Sequence, residues 1–225
     1  MGRGSSGSGK NLGGSSGVNP NNIKNERDLV SERGAKQAEV DSILTVARDI
    51  HDEYGIDVGQ LTMAEVVGKD SSTLAFSDGT NIGFNTKYLD AAKMDSAYDA
   101  CVKSGFHPGR GGKSGLEAVA AHEFGHILTS NVGAALTLKG VKGMYSMDSA
   151  AAYVLEKACA MTGHKGSVSL AKAISGYAGK SSAECVAEAF ADVYCNGAKA
   201  SKESRAVVSV MSDILKSSKI GKGRK

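Results

Sequence analysis

Ala121-His122-Glu123-Phe124-Gly125-His126-Ile127-Leu128 is the stretch on which the reading of this chain turns. It sets two histidines four residues apart, with a glutamate beside the first, inside an apolar run that predicts a buried helix from about Gly115 to Ser130. Residues four apart on a helix share a face, so the imidazoles of His122 and His126 can converge on one cation. Zinc suits such a nitrogen-rich set because it accepts tetrahedral geometry and has no redox chemistry to suppress. Glu123 then sits where it can take a proton from a water at the open coordination position, the general base of a metal-assisted hydrolysis. The plainer reading, a polar stripe on a packed helix, leaves the pattern of two histidines and one glutamate unexplained.

Two histidines do not complete a metal site, and no third histidine follows His126 at the spacing of an extended zinc signature. A third ligand has to come from farther along the chain. The best source is Ser181-Ser182-Ala183-Glu184-Cys185-Val186-Ala187-Glu188-Ala189-Phe190, where Glu184 and Glu188 stand one helical turn apart among alanines. One carboxylate can bind the cation while the other hydrogen-bonds a ligand histidine and fixes its tautomer. Competing readings are a capping box between Ser181 and Glu184 and a surface position for Glu188. Tyr177, just before this helix, reads as a tyrosine packed at a helix end ahead of Gly179.

The two segments together, His122 to His126 and Tyr177 to Phe190, resemble the catalytic core of the gluzincin peptidases, closest in pattern to the lethal-factor type of anthrax toxin. The resemblance implies a zincin-like fold, bound Zn2+ and hydrolysis of peptide bonds. It assigns His122, His126 and Glu184 as metal ligands, Glu123 as general base, Glu188 as support for a ligand histidine and Tyr177 as oxyanion donor. It covers only the two helices and the approach to the second, and Cys185 and Val186 stand where aromatics are typical. The loop Phe106-His107-Pro108 ahead of the metal helix is similar to that of small zincin-like domains of bacteriophages and mobile elements. That likeness implies a phage-encoded protein located in the host cytoplasm or the virion.

Outward from the motif, apolar residues Val40, Ile43, Leu44, Ala47, Ile50 and Tyr54 predict a helix from Arg33 to Tyr54, stopped by Gly55. His51 within it reads as a packing or surface histidine. Leu74-Ala75-Phe76 and Ile82-Gly83-Phe84 flank an Asp78-Gly79 step, the signature of a tight hairpin. The Ile82 to Phe84 strand is expected to offer an open edge to an extended peptide. Asn85 is expected to cap a helix over about Lys87 to Val102, followed by the glycine-rich loop Ser104 to Gly112, whose Phe106, His107 and Pro108 either form one wall of the cleft or leave a lone His107 exposed to solvent. Further helices are predicted over Asp148 to Met161, Val168 to Ser175, Ser182 to Tyr194 and Ser201 to Lys216. The order gives an α+β domain over residues 21–216: a small N-terminal antiparallel or mixed sheet packed on the metal helix, then a mainly helical part.

The Gly/Ser-rich residues 1–20 predict a disordered tail and residues 217–225 a basic flexible one. A net charge of +3 with scattered basic residues argues against specific nucleic-acid binding. No apolar stretch is long enough to span a bilayer, and Cys101, Cys159, Cys185 and Cys195 form no close-spaced framework, so a reduced, cytoplasmic setting without membrane partners is expected. The function expected is a zinc-dependent endopeptidase acting on a protein or peptide. An alternative is a virion-associated or assembly protein that uses a zincin fold mainly to bind another protein. A repressor-inactivating protease is a third reading, without the helix-turn-helix that commonly accompanies it.

Overall fold

The computed structural model of the chain describes residues 18–29 and 36–218. Most of the expected N-terminal tail, the start of the expected first helix at Arg33 and residues 219–225 lie outside the described residues. The architecture is α+β: seven α-helices and a four-stranded mixed sheet among the described residues. All four cysteines are free thiols. No helix among the described residues is long and apolar enough to cross a membrane.

The sheet comprises β1 (Ile23–Asp28), β2 (Leu61–Val66), β3 (Ala75–Ser77) and β4 (Ile82–Asn85) in the order β1-β2-β4-β3. β1 runs antiparallel to β2, β2 parallel to β4, and β3 antiparallel to β4. The Asp-Gly step makes the expected hairpin: Asp78 Oδ1 accepts from the backbone N–H of Thr80 and Asn81, and Gly79 takes φ 87°. The expectation of an open edge on β4 is corrected, because β2 and β3 pair with both of its sides; the edge strand of this hairpin is β3. β1 was not foreseen, since its side chains are mostly exposed and give no apolar alternation.

Helix α1 (Gln37–Tyr54) buries Val40, Ile43, Val46, Ile50 and Tyr54 and ends at Gly55 with φ 65°. Asn85 does not cap the second long helix as expected. Its Oδ1 accepts from Lys87 N over a short turn, Thr86–Tyr88, and α2 (Ala91–Lys103) begins afterwards, capped by Asp90. Asx residues favour both jobs, and the nearer one won.

Helix α3 (Gly115–Leu138) carries the two histidines and runs two turns beyond the expected end. It starts at a reciprocal cap in which Ser114 Oγ accepts from Glu117 N and Glu117 Oε2 accepts from Ser114 N. Buried nearly all round, it is the spine against which the other elements pack. Then come α4 (Met147–Thr162), α5 (Ser167–Ile174), α6 (Ser182–Asn196) and α7 (Lys202–Ser217), each within two residues of its expected bounds.

The contact that positions the site is between α3 and α6. A Cβ on Gly125 would lie 2.7 Å from Ala187 Cα, so the glycine inside the histidine motif lets the two backbones approach. The start of α6 is fixed separately: Ser181 Oγ accepts from Glu184 N, and Asp148 Oδ1 at the start of α4 accepts from Ala183 N.

Candidate metal centre

His122 and His126 project from one face of α3 toward Glu184 on α6, and all three are buried. Glu184 Oε2 lies 3.1 Å from His122 Nε2 and 3.3 Å from His126 Nε2. One ligand atom from each of the three residues falls within 4.8 Å of the others, so the group could hold a metal ion. The expected capping box is half realised: Ser181 caps the helix, while the Glu184 carboxylate turns to the histidines.

Glu188, one turn on, is also buried and engages both oxygens. Oε1 lies 2.7 Å from His122 Nδ1 and 2.9 Å from His107 Nδ1, and Oε2 accepts from Ser175 Oγ at 2.7 Å. Burial alone would raise its carboxyl, but the two histidines outweigh it and hold it down to about 2. An ionised carboxylate only accepts, so Glu188 fixes a proton on His122 Nδ1 and leaves Nε2 facing Glu184. The surface alternative for Glu188 is thereby excluded.

The electrostatics of the cluster call for a further positive charge. Burial pushes the Glu184 carboxyl up, but hydrogen bonds from His122 and His126 hold it well below the usual carboxylate range. Burial would likewise lower His122, yet Glu184 and Glu188 lift it well above its ordinary value. Two ionised carboxylates around paired imidazoles favour positive charge between them, which a proton or a divalent cation supplies. His126 Nδ1 and Glu123 Oε2 are buried without hydrogen-bond partners. Unpaired buried polar atoms beside converging lone pairs fit a cation site better than a closed polar core.

Glu123 faces the same space, its carboxyl raised chiefly by burial. Tyr177 sits across it, its hydroxyl donating to Glu184 Oε1 at 3.4 Å, and burial followed by the neighbouring carboxylates keeps that hydroxyl protonated. These groups open onto a cleft of about 440 Å³ lined also by Leu74, Ala75, Tyr98, Phe106 and Val119. All six site residues expected from the sequence meet at this one place.

Of the two readings of the His107 loop, the exposed one is overturned, because the side chain is only 13% exposed, while Phe106 and His107 do line the cleft. The loop is tied down on every side. Phe106 N donates to Cys101 O, Tyr98 Oη to Pro108 O, and Asn196 Nδ2 to Gly109 O. Gly176 N and Tyr177 N donate to Gly105 O and Phe106 O, both at 2.9 Å, which stitches the loop to the turn that carries Tyr177. The His107 ring stacks on Tyr98 at 5.3 Å with 6° between planes.

Ser175 was missed. It donates to Glu188 and accepts from Ala178 N, and a lone serine at a helix end gives no signal of such a role. His51 lies elsewhere, exposed and paired with Asp57. The chain matches no family model, no curated protein and no solved structure.

Proposed function

We propose that this chain is a zinc-dependent endopeptidase of zincin type, as the resemblance to gluzincins implied. The observation that carries the reading is the convergence of His122 Nε2, His126 Nε2 and Glu184 Oε2 beside a buried, unpartnered Glu123 oxygen. Zinc is preferred to other divalent ions because the donors are two imidazoles and one carboxylate, a set that leaves a fourth position for water or substrate. When bound, zinc would polarise a scissile carbonyl and make water acidic enough to be deprotonated near neutral pH.

The chain's own groups then have defined roles. Glu123 takes the proton of the attacking water and passes it to the leaving amine, so the base of one half-reaction is the acid of the next. Tyr177 offers its hydroxyl to the carbonyl oxygen as negative charge builds there. Glu188 holds His122 in the tautomer that directs Nε2 at the cation. The described residues lining the cleft are largely apolar and include no lysine or arginine, which suits the interior of a polypeptide better than a terminal carboxylate. The edge of β3, whose Ala75 borders the cleft, offers backbone groups to an extended peptide.

Metal analysis of the purified chain beside His126→Ala and Glu184→Ala, with cleavage of a peptide library by wild type and Glu123→Gln, tests the proposal. One zinc per wild-type chain, loss of it in the first two variants, and a fall in cleavage of about 10²–10⁴-fold in Glu123→Gln are expected. Equal cleavage by wild type and Glu123→Gln would refute the catalytic assignment. A zinc-bearing chain that cleaves nothing would favour the assembly role instead.

A further inference from the structure

His107 is not needed for the metal site as described, yet it is built into it. Its Nδ1 lies 2.9 Å from Glu188 Oε1, the same oxygen that holds His122. Its ring is clamped between Tyr98 on one side and the edges of Phe106 and Tyr177 on others, at centroid distances of 5.1 to 5.3 Å. Because Glu188 accepts, Nδ1 of His107 carries a proton, and in the neutral imidazole Nε2 is then the acceptor. No described residue hydrogen-bonds that Nε2, and it is not among the polar atoms sealed from solvent. The ring lines the cleft beside His122, Glu123 and Tyr177.

A surface histidine needs no such scaffold. Here three aromatic rings, a buried carboxylate and a pinned loop fix an imidazole that lines the cleft and whose Nε2 no described residue engages. The other polar side chains at this end of the cleft are already engaged, with Glu123 as proton carrier, Tyr177 as donor, and Glu184 and the two histidines on the cation. None of those side chains is left to accept from a peptide N–H beside the cation. We propose that His107 is a substrate-contacting residue whose Nε2 accepts a hydrogen bond from a backbone N–H of a peptide bound in the cleft. This rests on the peptidase reading for the identity of the ligand, but not on turnover.

The test uses the zinc-loaded chain and a peptide hydroxamate, with a series in which each backbone N–H in turn is replaced by an ester oxygen. Affinities are measured by calorimetry, with zinc content determined for every protein sample. His107→Asn can keep an N–H for Glu188 while removing Nε2 together with the outer part of the ring; His107→Gln supplies an acceptor oxygen farther out. In wild type, one ester replacement is expected to weaken binding about tenfold. His107→Asn should bind the parent hydroxamate about tenfold more weakly, with unchanged zinc, and lose its sensitivity to that replacement; His107→Gln should retain part of the sensitivity. The inference is overturned if no ester position is coupled to His107. It is also overturned if His107→Asn loses zinc, since the residue would then act through Glu188 on His122. A wild-type chain that shows the coupling but cleaves no peptide removes the peptidase reading and leaves His107 as a binding residue. One that cleaves peptides without the coupling does the reverse.

Discussion

Two histidine–carboxylate clusters can be compared within this molecule. Away from the cleft, His164 lies 2.9 Å from Glu203 through Nε2 and 3.1 Å from Ser169 through Nδ1, tying the α4–α5 turn to the start of α7. In the cleft, His122 and His126 meet Glu184 and Glu188. The residue types are nearly the same, but the first cluster is closed, since both ring nitrogens of its histidine have partners. The second is open: three donor atoms converge, and two buried polar atoms have no partner at all. Composition does not separate a clasp from a binding site; unsatisfied hydrogen-bonding capacity does.

Substitutions can sharpen or break that contrast. The largest effect in this set is expected at Tyr177→Phe, which should lower kcat about 10²–10³-fold while leaving zinc content intact, as steady-state kinetics and metal analysis would show. Glu188→Gln should weaken zinc binding about 10–100-fold in competition with a chelator, because His122 loses the partner that sets its tautomer. Gly125→Ala forces a methyl against the Ala187 backbone and should destabilise the fold by about 1–3 kcal/mol in denaturant titration. The smallest effect belongs to the closed cluster: His164→Ala should cost about 1 kcal/mol of stability and change neither zinc content nor cleavage. If His164→Ala lowered zinc binding as much as Glu188→Gln, the distinction between clasp and site would fail.

The parts of the site that were legible in the sequence are those on helices. His122, Glu123 and His126 declare themselves by spacing, and Glu184 and Glu188 by a second pair one turn apart, because 3.6 residues per turn converts sequence interval into a shared face. The strands of the hairpin were legible for a related reason, through the Asp78-Gly79 turn. His107 was legible only as part of a loop that could wall the cleft, and Ser175 not at all. His107 meets Glu188 across 81 residues of chain and Ser175 meets it across 13, from the end of one helix to the next, and no local periodicity encodes either meeting. β1 stayed hidden because an edge strand with exposed side chains carries no apolar alternation. Asn85 misled because an asparagine signals a cap without saying of which turn. Gly125 lay in plain view, yet its significance needed Ala187 opposite it.

The paired bonds from Gly176 and Tyr177 to Gly105 and Phe106 carry a consequence for how the rim of the cleft deforms. They splice two distant stretches into one mechanical unit, with a ring facing the cavity from each stretch. A residue inserted between Ser104 and Gly112 is therefore expected to displace the tyrosine as well as the histidine, although the tyrosine stands far away along the chain. Length changes tolerated by ordinary surface loops should be lethal to function here while sparing the helical body.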